Sequence, residues 1–192
     1  MANLITVQDY KDAEGLTSTK EDFRLELLIT SVSQLVKTYC GNSLIDYYTT
    51  PKVETFSINW DTKVVQLTES PILVVSTVEE RAGYQDSYTI LGASEFYAEH
   101  LTDSIFRTTG GQGYRNWAKG PGAVRVTYTA GYQQVPADLK LAVLDLITYY
   151  LKDEYKERQT LAGASIQNNT TTVNSAEFPA HIKRVLDFYK NF

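Results

Sequence analysis

The chain is short of the residues that most catalytic and metal chemistry uses. Among 192 residues there is one cysteine, Cys40, and there are two histidines, His100 and His181. A single cysteine excludes an intramolecular disulfide, and one thiol with two imidazoles is too small a set for a zinc site. No apolar run approaches the roughly 20 residues needed to cross a bilayer, so no membrane partner is expected. The N-terminus lacks a basic stretch followed by an apolar one, which predicts a soluble protein made in a cytoplasm. A basic surplus is missing as well: 18 Lys+Arg face 23 Asp+Glu, a net charge of −5. Proteins that grip nucleic-acid phosphates carry a basic face. An acidic wall can still surround DNA and let it slide.

The motif inventory is equally thin. No Gly-Lys-Ser or Gly-Lys-Thr phosphate loop occurs. Gly111-Gln112-Gly113-Tyr114-Arg115-Asn116 has two of the glycines of a dinucleotide-binding turn, but lacks the third and precedes no helix. Glu79-Glu80 and the Asp153, Glu154, Glu157 group read as solvated charge, and both histidines as solvated or structural. Cys40 lies on the apolar flank of a helix end and reads as a buried thiol. No catalytic, cofactor-binding or metal-ligating residue is expected.

What the chain does have is tyrosine, 14 of them, a residue suited to surfaces with one dry and one wet side. It also has a clear strand–turn–helix passage. In Val124 to Thr129 the side chains alternate, with Val124, Val126 and Tyr128 on one face; Gly131 allows the turn and Pro136 suits the first turn of a helix.

Around that passage the pattern reads helix, β-rich middle, helix, polar linker, helix. A Thr6–Asp9 capping pattern opens a short helix over 6–14, and Ser18 to Glu21 opens a second that runs to about Tyr39. Its expected apolar stripe is Phe23, Leu27, Leu28, Val32, Leu35, Val36 and Tyr39, with Gly41-Asn42 as the stop. Strands are expected at Val53–Ile58, Val64–Leu67, Leu73–Val78, Tyr88–Leu91 and Ala123–Thr129, with a long loop over 108–122. Leu139, Ala142, Val143, Leu146, Ile147, Tyr150 and Leu151 share a helix face; residues 162–177 have almost no apolar periodicity; Pro179 starts a last short helix striped by Ile182, Val185, Leu186 and Tyr189. The expected fold class is α+β, a helical bundle of N- and C-terminal helices with an inserted antiparallel β-rich region. Its parts are residues 1–50 (N-terminal helices of the core), 51–129 (β-rich insertion), 130–161 (the long helix completing the core) and 162–192 (polar linker and C-terminal helix).

Four passages resemble the head–tail connector proteins of long-tailed bacteriophages, also called adaptors or head-completion proteins. They are Val124 to Tyr132 followed by Val135 to Ala142 and Thr148-Tyr149-Tyr150; the opening from Ile5 through Cys40 to Ile45; Leu67 to Val78 with its Pro71-Ile72; and Phe178 to Tyr189. The resemblance implies a structural virion protein at the head–tail interface, without catalysis or cofactor. It implies self-assembly as a ring, usually of twelve subunits, below the portal protein. The ring extends the DNA channel and presents a surface to a stopper or tail-completion protein; double-stranded DNA passes through without sequence-specific binding. The C-terminal segment is then the portal-docking candidate, with Phe178, Pro179, Ile182, Val185, Leu186, Tyr189 and Phe192. The glycine-rich loop, with Gly110, Gly111, Gly113, Tyr114, Arg115 and Trp117, is the candidate tail-side or lumen element. Two other readings make separate expectations. An enzyme with a dispersed site in the β region needs a cleft holding perturbed carboxylates or His100. A carbohydrate- or cell-wall-binding module needs Trp60, Trp117 and tyrosines in an exposed row.

Overall fold

The computed structural model describes residues 2–152 and 178–190. The expected polar linker at 162–177, the charged stretch beyond Lys152 and Phe192 lie outside the described residues. The chain is mixed α+β, with four helices and two antiparallel sheets among these residues. They fall into two compact units. One comprises Asn3–Cys40 and the described part of Val135–Lys190; the other is built on Gly41–Gln134.

The first unit holds the helices α1 (Val7–Glu14), α2 (Asp22–Cys40), α3 (Ala137–Leu151) and α4 (Ala180–Phe188). The Thr6–Asp9 capping box closes: Asp9 N–H donates to Thr6 Oγ1 at 3.1 Å, and Thr6 N–H donates to Asp9 Oδ2 at 2.8 Å. The Ser18 pattern does not close in that way, since Ser18 Oγ accepts from Lys20 N–H at 3.4 Å instead. Gly41, with φ +65°, ends α2 as expected. The buried stripe of α2 is Leu25, Ile29, Val32, Val36 and Cys40; it shares Val32 and Val36 with the expected one and is turned from it at the other positions. Both series have helical spacing, so periodicity alone did not choose between two apolar faces on one helix. Phe23 (83% exposed), Leu27 and Leu35 are left outside. In α3 the expected face is buried at Leu139, Ala142, Val143, Leu146 and Ile147.

The second unit contains a four-stranded sheet in the order β1-β7-β3-β4 and a three-stranded sheet in the order β2-β6-β5. The strands are β1 (Lys52–Ile58), β2 (Val64–Gln66), β3 (Ile72–Glu80), β4 (Thr89–Ile90), β5 (Phe96–Glu99), β6 (Ser104–Arg107) and β7 (Gly120–Ala130). β7 lies between β1 and β3 and buries Val124, Val126 and Tyr128, the face its alternation gave. Strands β5 and β6 were not expected; four residues each are too few to establish a period. Inner faces of both sheets share one core with Ile58, Val65, Leu67, Val78, Ile105 and Trp117 among its members.

The two ends of this unit are stitched together. Tyr132 N–H donates to Leu44 O at 2.7 Å and Ala130 N–H to Tyr47 O at 3.0 Å. Gly131 sits at φ +97°, and a Cβ there would run into the Leu44 carbonyl. The freedom from a side chain is therefore used for close approach as well as for the turn.

Candidate assembly surfaces

The glycine-rich loop forms a tight closure on β6. Thr109 N–H donates to Gly113 O at 2.8 Å, Gln112 N–H to Thr109 O at 3.0 Å, and Thr108 bridges to Tyr114. Gly110 and Gly111 hold φ +53° and +80°, which accounts for glycine at both positions. Tyr114 and Arg115 are exposed, and the Tyr114 ring leans on Phe106 with centroids 5.5 Å apart. Together with Phe96 and Tyr97 the loop borders an open cleft of about 560 Å³.

Beneath the loop lies a buried arginine. The Arg107 guanidinium pairs with Glu80 at 3.1 Å and Glu95 at 3.4 Å, and donates to the Glu95 and Thr108 carbonyls. A buried cation with this many partners fixes geometry more than it adds stability. The Gly92 amide, and after it Arg107, hold the Glu95 carboxyl below the usual range. Trp117 belongs to this base and not to the loop's surface. It is 2% exposed, inside the core of the β unit. Its expected role as a tail-side or stacking residue is corrected by that burial, and an exposed Trp60–Trp117 row does not form. Large aromatic side chains near glycines are read as loop anchors or as core with equal ease, because most of the core that Trp117 joins, Ile58, Val65, Leu67 and Val78 among it, lies elsewhere in sequence.

Titratable groups do gather in the β unit, but inside it. The Tyr128 hydroxyl donates to Glu54 at 2.8 Å and accepts from the Glu69 N–H at 3.2 Å. Glu69 accepts from Ser43 N–H, Ser43 Oγ and Lys52 Nζ at 2.8, 2.6 and 2.9 Å. Burial, followed by the neighbouring Glu54, pushes the Tyr128 phenol far up. Every member is committed to another, so the cluster acts as a lock between the Asn42–Ser43 turn and the sheet. His100 is exposed, with Nδ1 at 3.1 Å from Ile72 O. Among the described residues, neither His100 nor a carboxylate lines the cleft.

In the helical unit, α4 does not project unsupported. Ile182 and Leu186 are buried, packed among α3 and α2. Pro179 precedes the helix, Val185 is half-buried, and Phe178 meets the Tyr39 ring edge-on at 5.0 Å. Tyr189 Oη donates to Asp138 at 2.6 Å and Tyr39 Oη to Asp187 at 2.6 Å. Phe188, 77% exposed, is an outward apolar residue of this segment and lies outside the expected stripe. Its signal is its place one residue off the stripe. With Phe23 and Leu27 it gives the helical unit exposed apolar side chains that its own core does not use.

The sequence matches the family described as Head completion protein over residues 3–192. A relative of that name from Escherichia phage T5 is 24% identical over 191 residues, covering 97% of this chain and 98% of the relative. The fold is similar to that of a chain in the neck of a native gene transfer agent particle computed with C12 symmetry. That likeness has a TM-score of 0.59 at 15% identity and covers 100% of this chain and 96% of the other. A chain in the virion of the native gene transfer agent particle gives a TM-score of 0.62 at 15% identity, over 98% and 90% of the two chains. These likenesses concern the fold; the match across nearly the whole sequence decides the family, and the chain belongs to the head completion proteins.

Proposed function

We propose that this chain is a structural virion protein at the phage head–tail junction. It assembles as a ring of twelve copies, extends the DNA channel below the portal and offers the attachment surface for a stopper or tail-completion protein. The observation that carries this reading is the family match across residues 3–192. The C12 symmetry of a neck whose chain shares the fold supports the number of copies. No catalysis is involved. DNA passes without sequence-specific contact, in keeping with a net charge of −5.

In this reading residues 1–50 and 130–161 supply a helical bundle, residues 51–129 are its β-rich insertion and residues 162–192 form the portal-docking arm. Ile182 and Leu186 hold α4 to its own unit, so docking through them requires α4 to exchange partners. Phe188, Phe23 and Leu27 are available without such exchange and form the first contact. Gly110, Gly111, Gly113, Tyr114 and Arg115 face the tail or the lumen.

The test is the mass of the purified protein, alone and mixed with its cognate portal, by light scattering behind a sizing column. A ring-sized species or comigration with the portal is expected. A strict monomer at every concentration that ignores the portal would remove the reading.

A further inference from the structure

The four-stranded sheet ends in two open edges, and they are unlike. On one side β1 pairs with β7 and with no other strand among the described residues, leaving the outer edge of Lys52–Ile58 free. On the other side β3 is covered only at its ends. Glu79 and Glu80 pair with β4, and Leu91 N–H reaches Val78 O at 2.8 Å. At the opposite end Asp103 Oδ1 accepts from Ile72 N–H at 2.8 Å, beside the His100 ring on the Ile72 carbonyl. Between these caps, Leu73–Thr77 has a strand on one side only among the described residues.

Proteins guard free edges with charge, proline or very short strands, because an unpaired ladder recruits other chains. Neither edge is guarded by charge here. The exposed positions of β1 are Val53, Thr55 and Ser57; those of β3 are Leu73, Val74 and Ser76. None is charged, in a chain where 21% of residues are. The two charged residues of β1, Lys52 and Glu54, are spent on the internal lock, on Glu69 and Tyr128. Leu101, 93% exposed, adds apolar surface next to the His100 cap of β3. Two register shifts in β3, at Ile72/Val74 and Val75/Thr77, bend that strand. A sheet that must curve into a closed ring needs such bends.

We infer that the sheet of one copy continues into that of the next, the free edge of β1 pairing with Leu73–Thr77 of β3 in the neighbouring copy. The inference rests on the ring reading above and names its joint. A head-to-tail ring needs two different surfaces on each subunit, and the two edges of one sheet meet that need. The direction also follows. β1 and β3 are both antiparallel to β7, so they run parallel to each other. Copies related by rotation about an axis along the strands keep that direction, and the joint is a parallel pair. A two-fold dimer would instead join like edges antiparallel. Main-chain hydrogen bonds supply the attraction, and the neutral side chains of both edges admit the approach.

Val53 and Thr77 both lie level with Thr127 of β7, and rotation about an axis along the strands keeps them level, so the experiment uses the full-length chain mixed with cognate portal, carrying the pair Val53→Cys and Thr77→Cys. Cys40 stays in place, since burial followed by Asp187 pushes its thiol up to about 11 and keeps it unreactive. A short bis-maleimide tolerates a register slip of one residue, about 3.3 Å. The expected result is a ladder of multimers up to the closed ring on a denaturing gel. The pair Ser57→Cys and Val74→Cys lies at opposite ends of β7 and is out of reach in this register, so it should give no ladder, and Thr55→Cys alone should give no dimer. A second variant, Val74→Lys, should fold with an unchanged melting curve and fail to form rings. A ring-sized mass without a Val53–Thr77 ladder would overturn the joint and leave the ring standing. Dimers from Thr55→Cys, a ladder from the Ser57–Val74 pair, or normal rings from Val74→Lys would each overturn it too. Absence of any ring, portal present, would instead remove the underlying function.

Discussion

At the scale of single residues, Asp9 carries a cap and an ion pair at once. Its carboxyl accepts from Lys140 Nζ at 2.6 Å and from the Thr6 amide at 2.8 Å. Lys140 first, and Thr6 after it, hold the Asp9 carboxyl down at about 2. An unfolded aspartate titrates near about 3.9. The stabilisation is therefore complete above that value and is lost as pH falls towards about 2. The pair is partly exposed and screened, so its worth is about 1 kcal/mol. Asp9→Asn should lower Tm by about 2–4 °C at pH 7, and the difference from the unaltered chain should shrink as pH falls below about 4 and vanish in melts below about pH 2. Gly131 makes a different demand. Gly131→Ala puts a methyl group against the Leu44 carbonyl at φ +97°, and should cost about 1–3 kcal/mol or more. Thermal denaturation reads that loss directly; an unchanged Tm would show that the Leu44 turn yields.

At the scale of elements, α4 joins two roles that substitutions can separate. Leu186 is fully buried while Phe188 stands out. Leu186→Ala should cost about 2–5 kcal/mol of stability. Phe188→Asp should stay within about 0.5 kcal/mol in chemical denaturation yet weaken portal capture in a sizing experiment. For the same reason deletion of 178–192 is a poor probe of docking, because it removes core side chains along with the surface. The helices and the longer strands were legible in the sequence because each repeats its period several times; β7 is the clearest, with Val124, Val126 and Tyr128 inward. β5 and β6 were not, being too short to repeat anything. α2 was legible as a helix but not in its orientation. Two apolar series, one through Leu25 and Ile29 and one through Phe23 and Leu27, share it, and only tertiary packing selects which goes inside. The exposed apolar side chains Phe23, Leu27 and Leu35 on α2 were therefore hidden within what looked like core. Trp117 was hidden in the opposite way, a core residue inside a glycine-rich passage. The loop glycines themselves, by contrast, stood where the turn needs them.

At the scale of the whole molecule, the free sheet edges carry no charge, and that has a measurable consequence. An association held by main-chain hydrogen bonds and apolar contact is screened little by salt. Sedimentation velocity between low and high ionic strength should give the same self-association midpoint; a strong fall with salt would assign the joint to charged faces elsewhere. The stitching of the β unit has a consequence of another kind. Leu44 and Tyr132, close to where the chain enters and leaves that unit, are joined by a hydrogen bond of 2.7 Å. A helical scaffold interrupted at two points so close together loses little closure entropy to whatever is inserted between them. The segment between residues 41 and 134 is in that sense a cartridge. Lengthening, shortening or exchanging it should leave the helices that flank it free to fold as before.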